Sequence, residues 1–208
     1  MIWDSEPWRN HLLASARALA KHGKTTTVTE HTSVLVERAV FFGAYVMRKL
    51  DDSYKLSTSW RGTAFKCKRF PPTSKRRPSL MDWHHIDRHF DLSKPQSDTI
   101  SARDYCDLVV HSFVFVELMN DDGSIEGFYI TSDKLRGKGI WQFGLNTVID
   151  LMKKTAKDWP AFARTIRDPE TGETMVWAGN TDLLRSGQER PTNSFMKYVP
   201  DGRRRPDD

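Results

Sequence analysis

Three groups of side chains in this 208-residue chain have the types and spacing to do chemistry. In the first, Arg103, Asp107 and His111 recur at intervals of four, which keeps them on one side of a helix and lets Asp107 pair with either neighbour. An imidazole beside a guanidinium can cleave RNA without a metal. The ring moves protons on and off the 2′-hydroxyl and the leaving oxygen, and the guanidinium steadies the charge on phosphorus. The same residues also make an ordinary i,i+4 ion pair, with a histidine placed near the dipole at a helix C-terminus.

The second group is the run Trp83-His84-His85-Ile86-Asp87-Arg88-His89. On a helix His85 and His89 share a face and offer a two-imidazole grip for a metal. A zinc site needs further ligands, and Cys67, Cys106 and His111 stand at no diagnostic spacing from the pair. No cofactor is expected.

The third group is a run of cations. Arg61, Lys66, Lys68, Arg69, Lys75, Arg76 and Arg77 lie within residues 61–78, which hold no Asp or Glu. Between residues 60 and 90 there are eight basic and two acidic residues, while the rest of the chain carries 24 basic and 25 acidic, so the net charge of +5 is concentrated in one stretch. A stripe of this kind attracts a polyanion more than the same charge spread evenly, because fields fade over about 8–10 Å at physiological salt. Trp60, Phe65, Phe70 and Trp83 flank or interrupt it. An aromatic face stacks an unpaired base while lysines and arginines follow the phosphates.

In Arg103 to His111, together with its N-terminal helices, the chain faintly resembles the HEPN ribonucleases and their Arg-polar-…-His signature. The resemblance covers at most residues 4–111. It implies an all-helical domain whose paired protomers build a metal-independent site, with Arg103, Asp107 and His111 as its catalytic residues.

Other chemistries lack their signatures. The chain has no P-loop, no Gly-x-Ser-x-Gly elbow, no Cys-x-x-Cys pair and no Asp or Glu followed two residues later by Lys. Two cysteines make no disulfide framework. The longest apolar run, Ala39 to Met47, is far short of the roughly 18 residues of a membrane span. No export signal opens the sequence. These features point to a soluble, cytoplasmic protein with no membrane partner.

The elements that must position these groups follow from apolar spacing and turn residues. Trp8, Leu12, Leu13, Ala16 and Leu19 predict a helix that begins after Asp4 or Ser5 and stops by Gly23. A second helix, entered through Thr27-x-x-Glu30 or near Thr32-Ser33, runs to about Leu50 and is apolar around most of its girth, so it should be central and covered. Thr63 to Phe70 reads as a strand, 71–78 as a Pro-rich loop, and 79–90 and 98–110 as short helices, the latter capped by Ser97, Asp98 or Thr99. Ser112 to Met119 and Ile125 to Thr131 form a hairpin with two apolar faces, covered by helices or by a partner. A helix over 142–157 and a small hairpin at 164–177 follow.

The fold class is α+β: an N-terminal helical unit packed on a small antiparallel sheet, with a further C-terminal helix. Residues 1–180 form one domain, helical over 1–56 and mixed over 57–180, and 181–208 a polar tail that wraps the surface or is disordered. The function this supports is an accessory module that binds nucleic acid, RNA or DNA, through the basic loop and a protein partner or second copy through its aromatic and sheet surface. The alternative is a HEPN-like ribonuclease, of the kind used as a toxin or defence effector.

Overall fold

The computed structural model describes residues 2–167, 171, 172 and 174–179. The tail expected at 181–208 lies outside them. The first helix, α1 (Glu6–His22), carries Pro7 in its opening turn, buries Leu12, Ala16 and Leu19, and stops at Gly23. The second, α2 (Glu30–Asp52), is capped by Thr29, whose hydroxyl accepts from the Thr32 amide at 3.2 Å; the cap is therefore Thr29 and not Thr27. It buries Val36, Val40, Met47 and Leu50 but leaves Val34, Phe42 and Tyr45 exposed, so it is not covered on all sides as its composition predicts.

A short α3 (Thr58–Arg61) leads into β1 (Ala64–Phe70), and one helical turn, α4 (Ile86–His89), precedes β2 (Gln96–Ser101). There follow α5 (Ala102–Val110), the hairpin of β3 (Ser112–Met119) and β4 (Ile125–Ser132), then β5 (Ile140–Gly144) and α6 (Leu145–Lys157). A separate ribbon of β6 (Phe162–Arg167) and β7 (Thr174–Gly179) ends the described chain. The five-stranded sheet runs in the order β2-β1-β5-β4-β3, with every neighbour antiparallel. The chain is thus α+β.

Two expected helices begin later than their sequence pattern predicts. Residues 98–101 pair with β1 as a strand, and the helix starts after Ser101, whose hydroxyl accepts from the Asp104 amide at 3.0 Å. Residues 142–144 likewise belong to β5. The helix expected over 79–90 shrinks to α4, the rest being turns. Both β1 and β2 fall within residues 4–111, so helices alone do not build that part of the molecule.

The main core joins Leu12, Val40, Met47 and Met152 from the helices to Phe128 and Phe143 of the sheet. On the opposite sheet face Phe70, Val114 and Ile140 are covered by Ile86 and Phe90 of the 71–93 segment. Of the two apolar faces of the hairpin, one is covered by helices and the other in part by this segment, which leaves Val116 and Tyr129 half-exposed. Among the described residues, no helix is long and apolar enough to cross a membrane.

Candidate functional site

The strand β1 sorts the basic stretch into two faces, because successive side chains of a strand alternate. Lys66 and Lys68 share the face of Phe70, and both are exposed. Lys68 stands opposite Ser97 on β2 and Gln142 on β5; Gln142 faces Tyr129, and Tyr129 faces Val116. A row of half-exposed and exposed side chains therefore crosses the sheet beside the end that the 71–93 segment covers. Lys75 and Arg77 are exposed on that segment, and Arg77 packs against Gly137 of the β4–β5 turn, where an added Cβ would meet its Nε at 2.7 Å.

The other cations of the stretch are committed elsewhere. Arg61 binds Asp51 at 2.6 Å, at the α2–α3 end of the molecule. Arg69 points to the helix side of the sheet, where it donates to the Lys138 carbonyl at 2.8 Å and lies 5.6 Å from the Trp141 ring. Arg76 pairs with Asp82 at 2.8 Å. Of the four neighbouring aromatics, Trp60 and Phe70 are buried and Phe65 packs between Tyr105 and Phe143. Trp83, 37 % exposed, is the most exposed of the four.

His85 and His89 do not form a grip. The helix there is a single turn with His85 at its N-cap, so the two are not successive on one helical face. His85 stacks on His84 with ring centroids 4.1 Å apart, whereas His89 is buried with Nε2 3.4 Å from Asp82. Among the described residues, no group of three His, Cys, Asp or Glu is placed to hold a metal.

Arg103, Asp107 and His111 do come together. Arg103 and Asp107 lie on α5 and His111 caps it, facing the last turns of α2. Arg103 binds Asp51 at 2.8 Å and also Asp52, with its Nε 3.5 Å from Asp107. Burial works against the Arg103 cation, but Asp52, Asp107 and Asp51 outweigh it and hold the charged form more firmly than usual. Arg48 of α2, which the sequence gives no reason to single out, lies 3.0 Å from Asp107 and 3.0 Å from Nε2 of His111. A guanidinium only donates, so His111 Nε2 accepts and the neutral ring carries its proton on Nδ1. With Arg61, three arginines alternate with Asp51, Asp52 and Asp107, and the cluster is electrically balanced. Beside it a cavity of about 500 Å³ is lined by Ile100, Leu108, Leu135 and Trp141, by His111 and Lys134, and by the carboxylates Asp98, Asp104 and Asp107.

No family model, curated protein or solved structure matches the chain.

The thiols take no part in this chemistry. Burial, with Asp98 adding to it, pushes Cys67 up to about 12. Burial and then Asp107 raise Cys106 as well, so neither is a thiolate nucleophile near neutral pH.

Proposed function

We propose that the protein is a non-catalytic accessory module that holds nucleic acid on the lysine side of its sheet and along the basic segment beside it. One observation carries the reading: Lys66, Lys68, Lys75 and Arg77 are solvent-accessible and form no ion pair with another described residue, in contrast to Arg61 and Arg76. Cations left unpaired at a surface are those that can displace the counterions of a phosphate backbone. The protein-binding half rests on α2 rather than on the sheet surface that the sequence suggests, through Val34, Phe42 and Tyr45, all exposed there. Two free, buried thiols agree with a reducing, cytoplasmic setting. The test is a salt titration of binding to a labelled RNA of about 12 nucleotides. Replacing Lys66, Lys68, Lys75 and Arg77 together by Ala is expected to weaken binding more than about tenfold on every sequence tested. Unchanged affinity removes the lysine side as the interface.

A second reading, the metal-independent ribonuclease, is favoured by the convergence of Arg103, Asp107 and His111 with Arg48 beside a cavity that Asp107 and His111 line. In it His111 moves the proton, and Arg48, 3.0 Å from Nε2 of that ring, steadies the charge together with Arg103. Cleavage of RNA in a chelator, ending in a 2′,3′-cyclic phosphate and lost in His111→Ala with the fold intact, is the expected result. A folded protein that leaves a broad set of RNAs uncut removes this reading.

A further inference from the structure

We infer that the turn from Ser79 to Trp83 is the base-contacting element of the interface and that it takes the faces of unpaired bases, an inference that rests on the nucleic-acid reading above. Leu80 is 81 % exposed and Met81 87 %, both among the most exposed large apolar side chains of the described residues. Trp83, two residues further along the same turn, is 37 % exposed and meets the His84 ring edge-on. Large apolar groups held this far into water mark a contact surface.

The turn that presents them is tightly fixed. Asp82 Oδ1 accepts from the amide and the hydroxyl of Ser79, both at 2.7 Å, and Oδ2 accepts from Arg76 at 2.8 Å. Arg136 donates to the Pro78 carbonyl at 2.7 Å and ties the turn to the β4–β5 connection. The backbone is therefore ordered before any ligand arrives, which lowers the entropy lost on binding. The one carboxylate inside the turn faces these donors. Lys75, Arg77 and Arg88 flank it in the chain, all exposed, with Asp87 as an exposed acidic neighbour. This surplus of cations matches a polyanion that also offers flat apolar surface.

The chemistry of the three side chains selects the part of the nucleic acid they meet. Leu80 and Met81 have no group that can read the donors and acceptors of a base edge, and Trp83 has a single N–H. What they fit is the ring face, by stacking and dispersion. In a duplex those faces are covered by their neighbours, and opening a step consumes about as much free energy as burying two aliphatic side chains returns. In an unpaired strand they are already open.

The experiment compares a labelled strand of about 12 nucleotides with the same strand annealed to its complement, in RNA and in DNA, at one salt concentration. The strand is expected to bind more than about tenfold tighter than the duplex. The variant carrying Leu80→Ser, Met81→Ser and Trp83→Ala should lose that preference while keeping its circular dichroism spectrum and its salt dependence. A preference shared by RNA and DNA assigns the contact to base faces alone, and a preference confined to RNA adds the 2′-hydroxyl to it. Equal affinity for strand and duplex in the unaltered protein overturns the inference but leaves the nucleic-acid reading standing. Binding to neither polymer removes that reading and the inference with it. Binding to vesicles of phosphatidylserine and phosphatidylcholine that the triple variant abolishes, with no strand preference, assigns the turn to lipid and overturns the inference.

Discussion

Arg9 shows how far a single side chain can depart from its type. It is 2 % exposed, yet its guanidinium donates to the carbonyls of Thr155, Ala156 and Asp158 at 3.1, 3.3 and 2.6 Å, and to that of Lys55. Those carbonyls include the last turn of α6, where Thr155 has the Asp158 amide as a backbone donor at 3.2 Å, and a cation there also meets the negative end of the helix dipole. Burial lowers its pKa, with Asp158 opposing, and the Trp159 ring lies 4.0 Å from its guanidinium carbon. Arg9→Ala deprives these acceptors of the guanidinium and is expected to destabilise the fold by more than about 3 kcal/mol. For a chain of this size that lowers Tm by roughly 6–12 °C, read by thermal unfolding, and Arg9→Lys restores part of the loss because an ammonium cannot span four carbonyls. The pattern Leu12, Ala16, Leu19 was legible as a buried helical face, but Arg9 on the same helix was not. The carbonyls it binds lie 46 to 149 residues away, and no local spacing carries them. Arg48 is hidden for the same reason: its contact to His111 crosses 63 residues.

Elements were legible where local pattern and tertiary role agree. The hairpin of β3 and β4, with Asn120 to Ser124 between them, alternates on both faces and is found with nearly the expected limits. The edge strand β2 was not legible, because Gln96-Ser97-Asp98-Thr99 is polar and resembles a helix cap; it is a strand because β1 has a free edge to pair, and edge strands tolerate polar side chains. The Arg103 to His111 spacing survived this shift, since the residues on α5 keep their order while only its start moves. The sheet also has a rigid point that spacing alone does not reveal. A Cβ on Gly127 would lie 2.1 Å from the Phe143 carbonyl, a backbone atom locked in the β4–β5 ladder. On Gly43 it would meet Met152 Cε at 2.2 Å, the free end of a flexible side chain. Gly127→Ala is therefore expected to cost about 2–3 kcal/mol and Gly43→Ala under about 1 kcal/mol, measured by denaturant unfolding. Equal costs at the two positions contradict this account of the ladder.

At the scale of the molecule, composition showed where positive charge is concentrated along the chain but not where folding leaves it unpaired. Of the seven cations from Arg61 to Arg77, Arg61 and Arg76 meet carboxylates and Arg69 turns to the helix side of the sheet, so four remain toward a ligand on the lysine side. Pairing of this kind depends on Asp51 and Asp82, whose approach is set by α2 and by the Ser79 turn rather than by neighbours in sequence. The difference is measurable. For a single strand each neutralised phosphate contributes about −0.7 to the slope of log affinity against log salt, so four contacts give a slope near −3 and seven give one near −5. Between about 50 and 200 mM salt the first loses roughly 50-fold in affinity and the second roughly 1,000-fold. We expect the smaller loss. Lys66→Ala with Lys68→Ala should flatten the slope by about 1.4, whereas Arg61→Ala should leave it unchanged and act on stability through Asp51. A slope near −5, or an Arg61→Ala variant that flattens it, means that the network around Asp51 opens to the ligand and that the lysine side of the sheet is not where the strand lies.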